Sequence, residues 1–172
     1  GEDRVVPPSQ SEAIRDALAA RGIPSVLIDK RGMFASAAAT PDANDVRMQD
    51  YAYDITQWAT AIRQKKGARC VWVAGHSEGG VAALMASAHG TGLCGLILMA
   101  TPGRPLGQVL REQLRGNPAN APVLEQAFAA IDSLEAGKRV EIAGLHPALR
   151  PLFHPAVQGF LIDSFAIDPA QL

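Results

Sequence analysis

The 172-residue sequence is poor in aromatic side chains, at 5%, and contains only two cysteines, Cys70 and Cys94. So few cysteines exclude a disulfide framework, and their spacing is not that of metal ligands. Charge of one sign is also missing, because 16 basic residues are matched by 17 acidic ones for a net charge of −1. Neither nucleic acid nor an anionic membrane would find an electrostatic footprint here. Apolar runs stop at about eight residues, far short of the roughly 20 that a membrane-spanning helix requires. No stretch reads as a secretory leader, and a start at Gly1-Glu2-Asp3-Arg4, without methionine, is that expected of a processed or trimmed chain. What remains is 48% hydrophobic and 19% charged residues, the balance of a soluble globular domain rather than a disordered or collagen-like chain. The length predicts one domain and a sizeable core.

Along the chain, helical and strand patterns alternate, which predicts a parallel sheet with helices on its faces. Ile14, Ala17 and Leu18 recur at helical spacing between a Ser11 N-cap and a Gly22 stop. Ser25-Val-Leu-Ile-Asp29 is a short apolar run expected to be a buried strand. Residues 30–43 read as loop. From Asp45 to about Gln64, Val46, Tyr53, Trp58 and Ile62 predict an amphipathic helix closed by Lys65-Lys66-Gly67. Cys70 to Ala74 is a second expected strand, Gly79 to His89 a small-residue helix, and Gly95 to Ala100 a third strand. After Thr101-Pro102-Gly103 the pattern becomes helical only, over Leu106–Arg115, Val123–Ala136 and Pro155–Ser164. Two regions follow from this, a sheet-bearing part over 1–103 and a helical layer over 104–172.

Chemistry concentrates at Gly75-His76-Ser77-Glu78-Gly79-Gly80, a Gly-x-Ser-x-Gly sequence between an expected strand and an expected helix. A serine on such a turn takes a strained backbone conformation that exposes its Oγ, and small flanking residues let strand and helix pass closely. Gly75 and Gly79 are expected to meet that demand, and Gly80 to let the helix lie close to the sheet. The helix N-terminus aims backbone N–H groups at developing negative charge, which makes the Glu78 N–H an oxyanion donor candidate. Such five-residue matches also arise by chance in glycine-rich loops. The flanking strand and helix distinguish this one.

The stretch Asp29-Lys30-Arg31-Gly32-Met33-Phe34-Ala35-Ser36 resembles the Asp-x-Arg-Gly-x-Gly-x-Ser loop of the α/β-hydrolases, with Phe34 where glycine is commoner. Together with Gly-His-Ser-Glu-Gly-Gly it makes the chain similar to bacterial serine esterases and serine aminopeptidase-like hydrolases. The resemblance covers nearly the whole chain. It implies the central portion of an α/β-hydrolase parallel sheet with a helical cap over 104–172, Ser77 as nucleophile, and a cap lining the pocket for a small-molecule acyl substrate. It implies no cofactor and no metal. Cleavage of a carboxylic ester, thioester or small amide through an acyl-enzyme is the expected reaction. The alternatives are acyl transfer on the same scaffold and a non-catalytic hydrolase-fold binding module.

In this family the acid and then the histidine follow the serine along the chain, each after a further strand. No such strands are evident before Leu172, so acid and base stay unassigned, and the chain is expected to be an internal piece whose partner is the remainder of the hydrolase domain. His76 lies within the turn, His89 at the far end of the following helix, and His146 and His154 precede prolines as loop-anchoring residues, His154 being the better candidate for touching substrate. Asp132 and Asp163 read as solvated charges on cap helices. The family's second oxyanion donor comes from a glycine-rich loop after an early strand, of which Gly1-Glu2-Asp3-Arg4 would be the tail. Cys70 and Cys94 begin strands that are neighbours in the hydrolase sheet, which places their Cα atoms about 5 Å apart if registers match. A disulfide there implies a periplasmic or secreted protein, and two packed thiols a cytoplasmic one. Trp58, Trp72 and Phe153 are expected in the core.

Overall fold

A computed structural model describes residues 8–89 and 92–172, and the chain divides into two compact units, 1–41 and 42–172. The tail assigned to Gly1–Arg4 lies outside the described residues.

In the first unit, helix α1 spans Pro8–Ala19. It starts ahead of Ser11, which is therefore inside the helix and not its cap. The chain turns at Gly22, whose φ of 72° is the left-handed conformation glycine tolerates best. Ser25–Asp29 departs from expectation: it belongs to no strand, and Val26, Leu27 and Ile28 are exposed. An apolar run marks a segment for burial, but a strand also needs a neighbour for its backbone groups. Among the described residues of this unit there is none. The following loop is held by the Asp29 carboxylate, which accepts a hydrogen bond of 3.2 Å from the Ala35 N–H. Phe34, at the position where the family favours glycine, has φ of 47°, a conformation costly for a bulky side chain.

The second unit contains helix α2 (Met48–Lys66), strand β1 (Val71–His76), helix α3 (Glu78–His89), strand β2 (Leu93–Met99) and helices α4 (Leu106–Gly116), α5 (Leu124–Glu135) and α6 (Pro155–Phe165). The sheet has two parallel strands among the described residues, not three, with Val73 opposite Leu96 and His76 opposite Met99. A break in register between Val71 and Trp72 leaves Cys94 as the extra residue of β2, the arrangement of a β-bulge. The Cys70 and Cys94 Cα atoms lie 5.1 Å apart and the two sulfurs are joined in a disulfide.

Helix α2 buries Met48, Ala52 and Ala59, an i, i+4, i+11 stripe, and Tyr51 and Ile55 extend it against Val81 and Ala82 of α3. Tyr53 and Trp58 are exposed, so the aromatics expected on the buried face lie off it. Alanines at 52 and 59 do the packing instead, because small side chains allow two helices to approach closely. The helix stops at Gly67, with φ of 65° and with Lys65 and Lys66 in its last turn. Trp72 also departs from expectation, being 65% exposed. Its ring lies across Gly95 on the neighbouring strand, on the face away from α2 and α3.

Helices α4, α5 and α6 enclose a core of their own around Leu110, Ile131, Leu134, Leu149, Phe153 and Phe165. Phe153 is fully buried there, as expected. Gln158, also buried, is satisfied at both ends: its Oε1 accepts from the Val140 N–H at 2.8 Å and its Nε2 donates to the Phe153 carbonyl at 2.7 Å. The Arg111 guanidinium joins α4 to Glu135 and Asp132 of α5. The hydrogen bond to Glu135, opposed by partial burial and reinforced by Asp132, raises its pKa above the ordinary value. Asp132 is thus an ion-pair partner and not merely solvated.

Polar contacts fasten this layer to the start of α2. The Asn44 Oδ1 accepts from the Gly159 N–H at 2.9 Å, and Arg47 donates to the Gly159 carbonyl at 3.1 Å. The Asp163 carboxylate accepts from the Met48 N–H at 2.8 Å. It caps a helix from another element, which corrects its expected role as a solvated charge. Tyr51 and Phe160 meet edge to face, with ring centroids 5.8 Å apart.

Candidate active site

Strand β1 ends at His76 and α3 begins at Glu78, leaving Ser77 alone in the turn. Its φ is 52°, a left-handed conformation that costs a non-glycine residue about 1–2 kcal/mol. Backbone bonds on both sides hold it there. The Ser77 N–H donates to the Met99 carbonyl at 2.8 Å, and the Ser77 carbonyl accepts from the Gly80 N–H at 2.9 Å. Ser77 is exposed. That combination of strain and exposure is what a nucleophile on a strand-to-helix turn requires.

The glycines explain how the turn closes. A Cβ on Gly75 would overlap the Gly79 carbonyl and come within 2.6 Å of the Gly80 nitrogen. Gly80 is equally constrained, because any side chain there would collide with that of Thr101. Gly79 has open space around its Cα. The close approach therefore falls on Gly75 and Gly80, and Gly79 is not needed for it. Thr101 has no motif of its own. The demand for glycine at 80 signals a tight neighbour without saying which, and the structure supplies it from the end of β2. Its Oγ1 is buried with no hydrogen-bond partner among the described residues. Ala100, immediately before it, repeats the left-handed backbone with φ of 49°. Two strained turns thus stand side by side at the carboxyl ends of two parallel strands, where open α/β sheets bind ligands.

Glu78 is the first residue of α3. Its N–H is among the four at a helix N-terminus that lack an intrahelical acceptor, next to the serine. His76 is the last residue of β1, alternating with Gly75 and so facing the other side of the sheet. His89 closes α3, about 18 Å of helix beyond the turn. His146 and His154 each cap a helical turn: their Nδ1 atoms accept from the Ala148 and Ala156 N–H groups, both at 3.2 Å. Among the described residues, no side chain is hydrogen-bonded to the Ser77 hydroxyl.

Two clefts in the second unit lie elsewhere. One of about 220 Å³ is lined by Gln49, Ala52, Tyr53, Thr56 and Ala86, and the other by Thr60, Arg63, Gln64, Gly67 and Ala68. Neither contains a residue of the serine turn. No helix among the described residues is long and apolar enough to cross a membrane.

The family model described as serine aminopeptidase, S33, matches residues 2–129. No curated protein and no solved structure matches the chain. The match spans well over half of the sequence, and the chain belongs to this family of α/β-hydrolases.

Proposed function

We propose that this member of the serine aminopeptidase S33 family is a serine hydrolase that cleaves a carboxylic ester, thioester or small amide through an acyl-enzyme on Ser77. One observation carries the proposal: Ser77 occupies a left-handed turn between β1 and α3, exposed and held by backbone bonds to Met99 and Gly80. Attack of the Ser77 Oγ on the substrate carbonyl forms the Oγ–C bond as the hydroxyl proton passes to a general base, and the carbonyl π electrons become a tetrahedral oxyanion. The Glu78 N–H, at the positive end of α3, donates to that oxygen. Collapse breaks the bond to the leaving group, which departs as the alcohol, thiol or amine with the proton the base returns; water, deprotonated by the same base, then attacks the acyl carbon, breaks the Oγ–C bond and releases the acid with Ser77 re-protonated. The helical layer over 104–172 acts as the cap over the acyl pocket, and the Cys70–Cys94 bridge favours an oxidising compartment.

The alternative on the same scaffold is a hydrolase-fold binding module without turnover. Rapid mixing of the intact protein with a chromogenic short-chain ester separates the two. Hydrolysis predicts a burst of alcohol stoichiometric with protein and a trapped acyl group on the peptide carrying Ser77. Binding of the ester with neither burst nor acylation would support the module instead.

A further inference from the structure

The Cys70–Cys94 bridge joins the two strands at the end of the sheet opposite to Ser77. Cys94 is the bulge residue of β2 and is exposed, whereas Cys70, just before β1, is half-buried. A bulge frees a residue from the ladder, so the Cys94 sulfur can be approached without first unpairing the strands. The surroundings are cationic. The Arg63 Nε donates to the Arg69 carbonyl at 3.0 Å, one residue before Cys70, and the same guanidinium lies against Gly92, two residues before Cys94. Lys65, Lys66 and Arg69 follow on the same short stretch of chain. Arg63 also lines the cleft formed with Thr60, Gln64, Gly67 and Ala68. An accessible sulfur and a fixed positive charge are the two conditions that favour thiol–disulfide exchange, because the cation stabilises both the incoming and the departing thiolate.

We propose that Cys70–Cys94 is an exchangeable redox site that takes an anionic thiol at Cys94, with Cys70 as leaving group and with Arg63, held at the flanking residues Arg69 and Gly92, as the cation that favours the thiolates. A thiolate attacks the Cys94 Sγ, the S–S bond breaks, and its electron pair leaves on the Cys70 Sγ. A second thiolate attacks the external sulfur of the mixed disulfide, releasing the Cys94 thiolate and the oxidised external disulfide. Two electrons pass from two thiols to the protein cystine, and oxidation by an external disulfide reverses the sequence. Because the bridge is remote from Ser77, its opening loosens the β1–α3–β2 unit from the far end. This inference does not rest on the hydrolase reading.

The test uses the native full chain, without denaturant, in glutathione buffers of defined ratio, with rapid alkylation and peptide mass mapping. A parallel arm supplies a protein dithiol reductant, which separates exchange with a small thiol from exchange with a protein. The proposal expects both cysteines to become alkylated in the native state, and the Cys70→Ser variant to accumulate glutathione on Cys94. It also expects glutathione to outpace a neutral thiol by several-fold relative to their rates on an unstructured disulfide peptide, with the advantage lost in high salt. A bridge that resists millimolar thiol until the chain is unfolded would overturn the proposal. Equal relative rates for the two thiols would overturn the role of Arg63, and this measurement needs no variant.

Discussion

The helical layer and the strand pair of residues 42–172 close themselves in different ways. Between α4, α5 and α6 the apolar side chains face one another, and Ile131, Leu134 and Phe153 are fully buried. On the sheet, one face is covered by α2 and α3 while Trp72 and Ile97 remain exposed on the other. The first region is held by side-chain packing. The second depends on close backbone approach at Gly75 and Gly80, hydrogen bonds from Ser77 and Gly80, and the Cys70–Cys94 bridge. The left-handed turns at Ser77 and Ala100 lie in the second region, and the packed layer is fastened to the start of α2 through Asn44, Arg47 and Asp163.

Changes in each region should separate these two modes. Ser77→Ala should abolish ester turnover, a loss of about 10⁴-fold or more by analogy with other serine nucleophiles, while both regions keep their thermal transitions; residual activity within tenfold would remove Ser77 from the mechanism. Phe153→Ala is expected to cost about 3–5 kcal/mol, as for large aromatic deletions in packed cores, seen as a lowered denaturant midpoint. Replacing Cys70 and Cys94 together by serine should cost about 3 kcal/mol from loss of a cross-link closing a loop of this size, measured against the oxidised parent. Trp72→Ala should change stability by less than about 1 kcal/mol, as for an exposed site. If Trp72→Ala instead cost as much as Phe153→Ala, the contrast between a packed layer and an open sheet face would fail.

Much of this organisation is legible in the sequence. The helices of 104–172 fall within a few residues of their expected positions, since apolar periodicity and proline or glycine stops act locally. Glycine spacing around Ser77 identifies the turn for the same reason. Two kinds of information are not local. Apolarity in Ser25–Asp29 signals a strand but cannot provide its ladder partner. On α2, Tyr53 and Trp58 carry far more apolar surface than alanine, yet they are exposed and Ala52 and Ala59 are buried, because small side chains let the neighbouring helix approach. Asp163 reads as a surface charge until Met48, more than a hundred residues away in sequence, is brought beside it. Phe34 is the opposite case: the family's preference for glycine there is explained once its φ of 47° is seen.

Whether the strained turn of the strand pair presents a reactive serine is decided by a fluorophosphonate probe on the intact folded protein, followed by peptide mapping. One adduct is expected, on Ser77, abolished by prior unfolding and by Ser77→Ala. A folded protein that stays unlabelled, or that is labelled on another residue, would contradict a reactive serine at this turn.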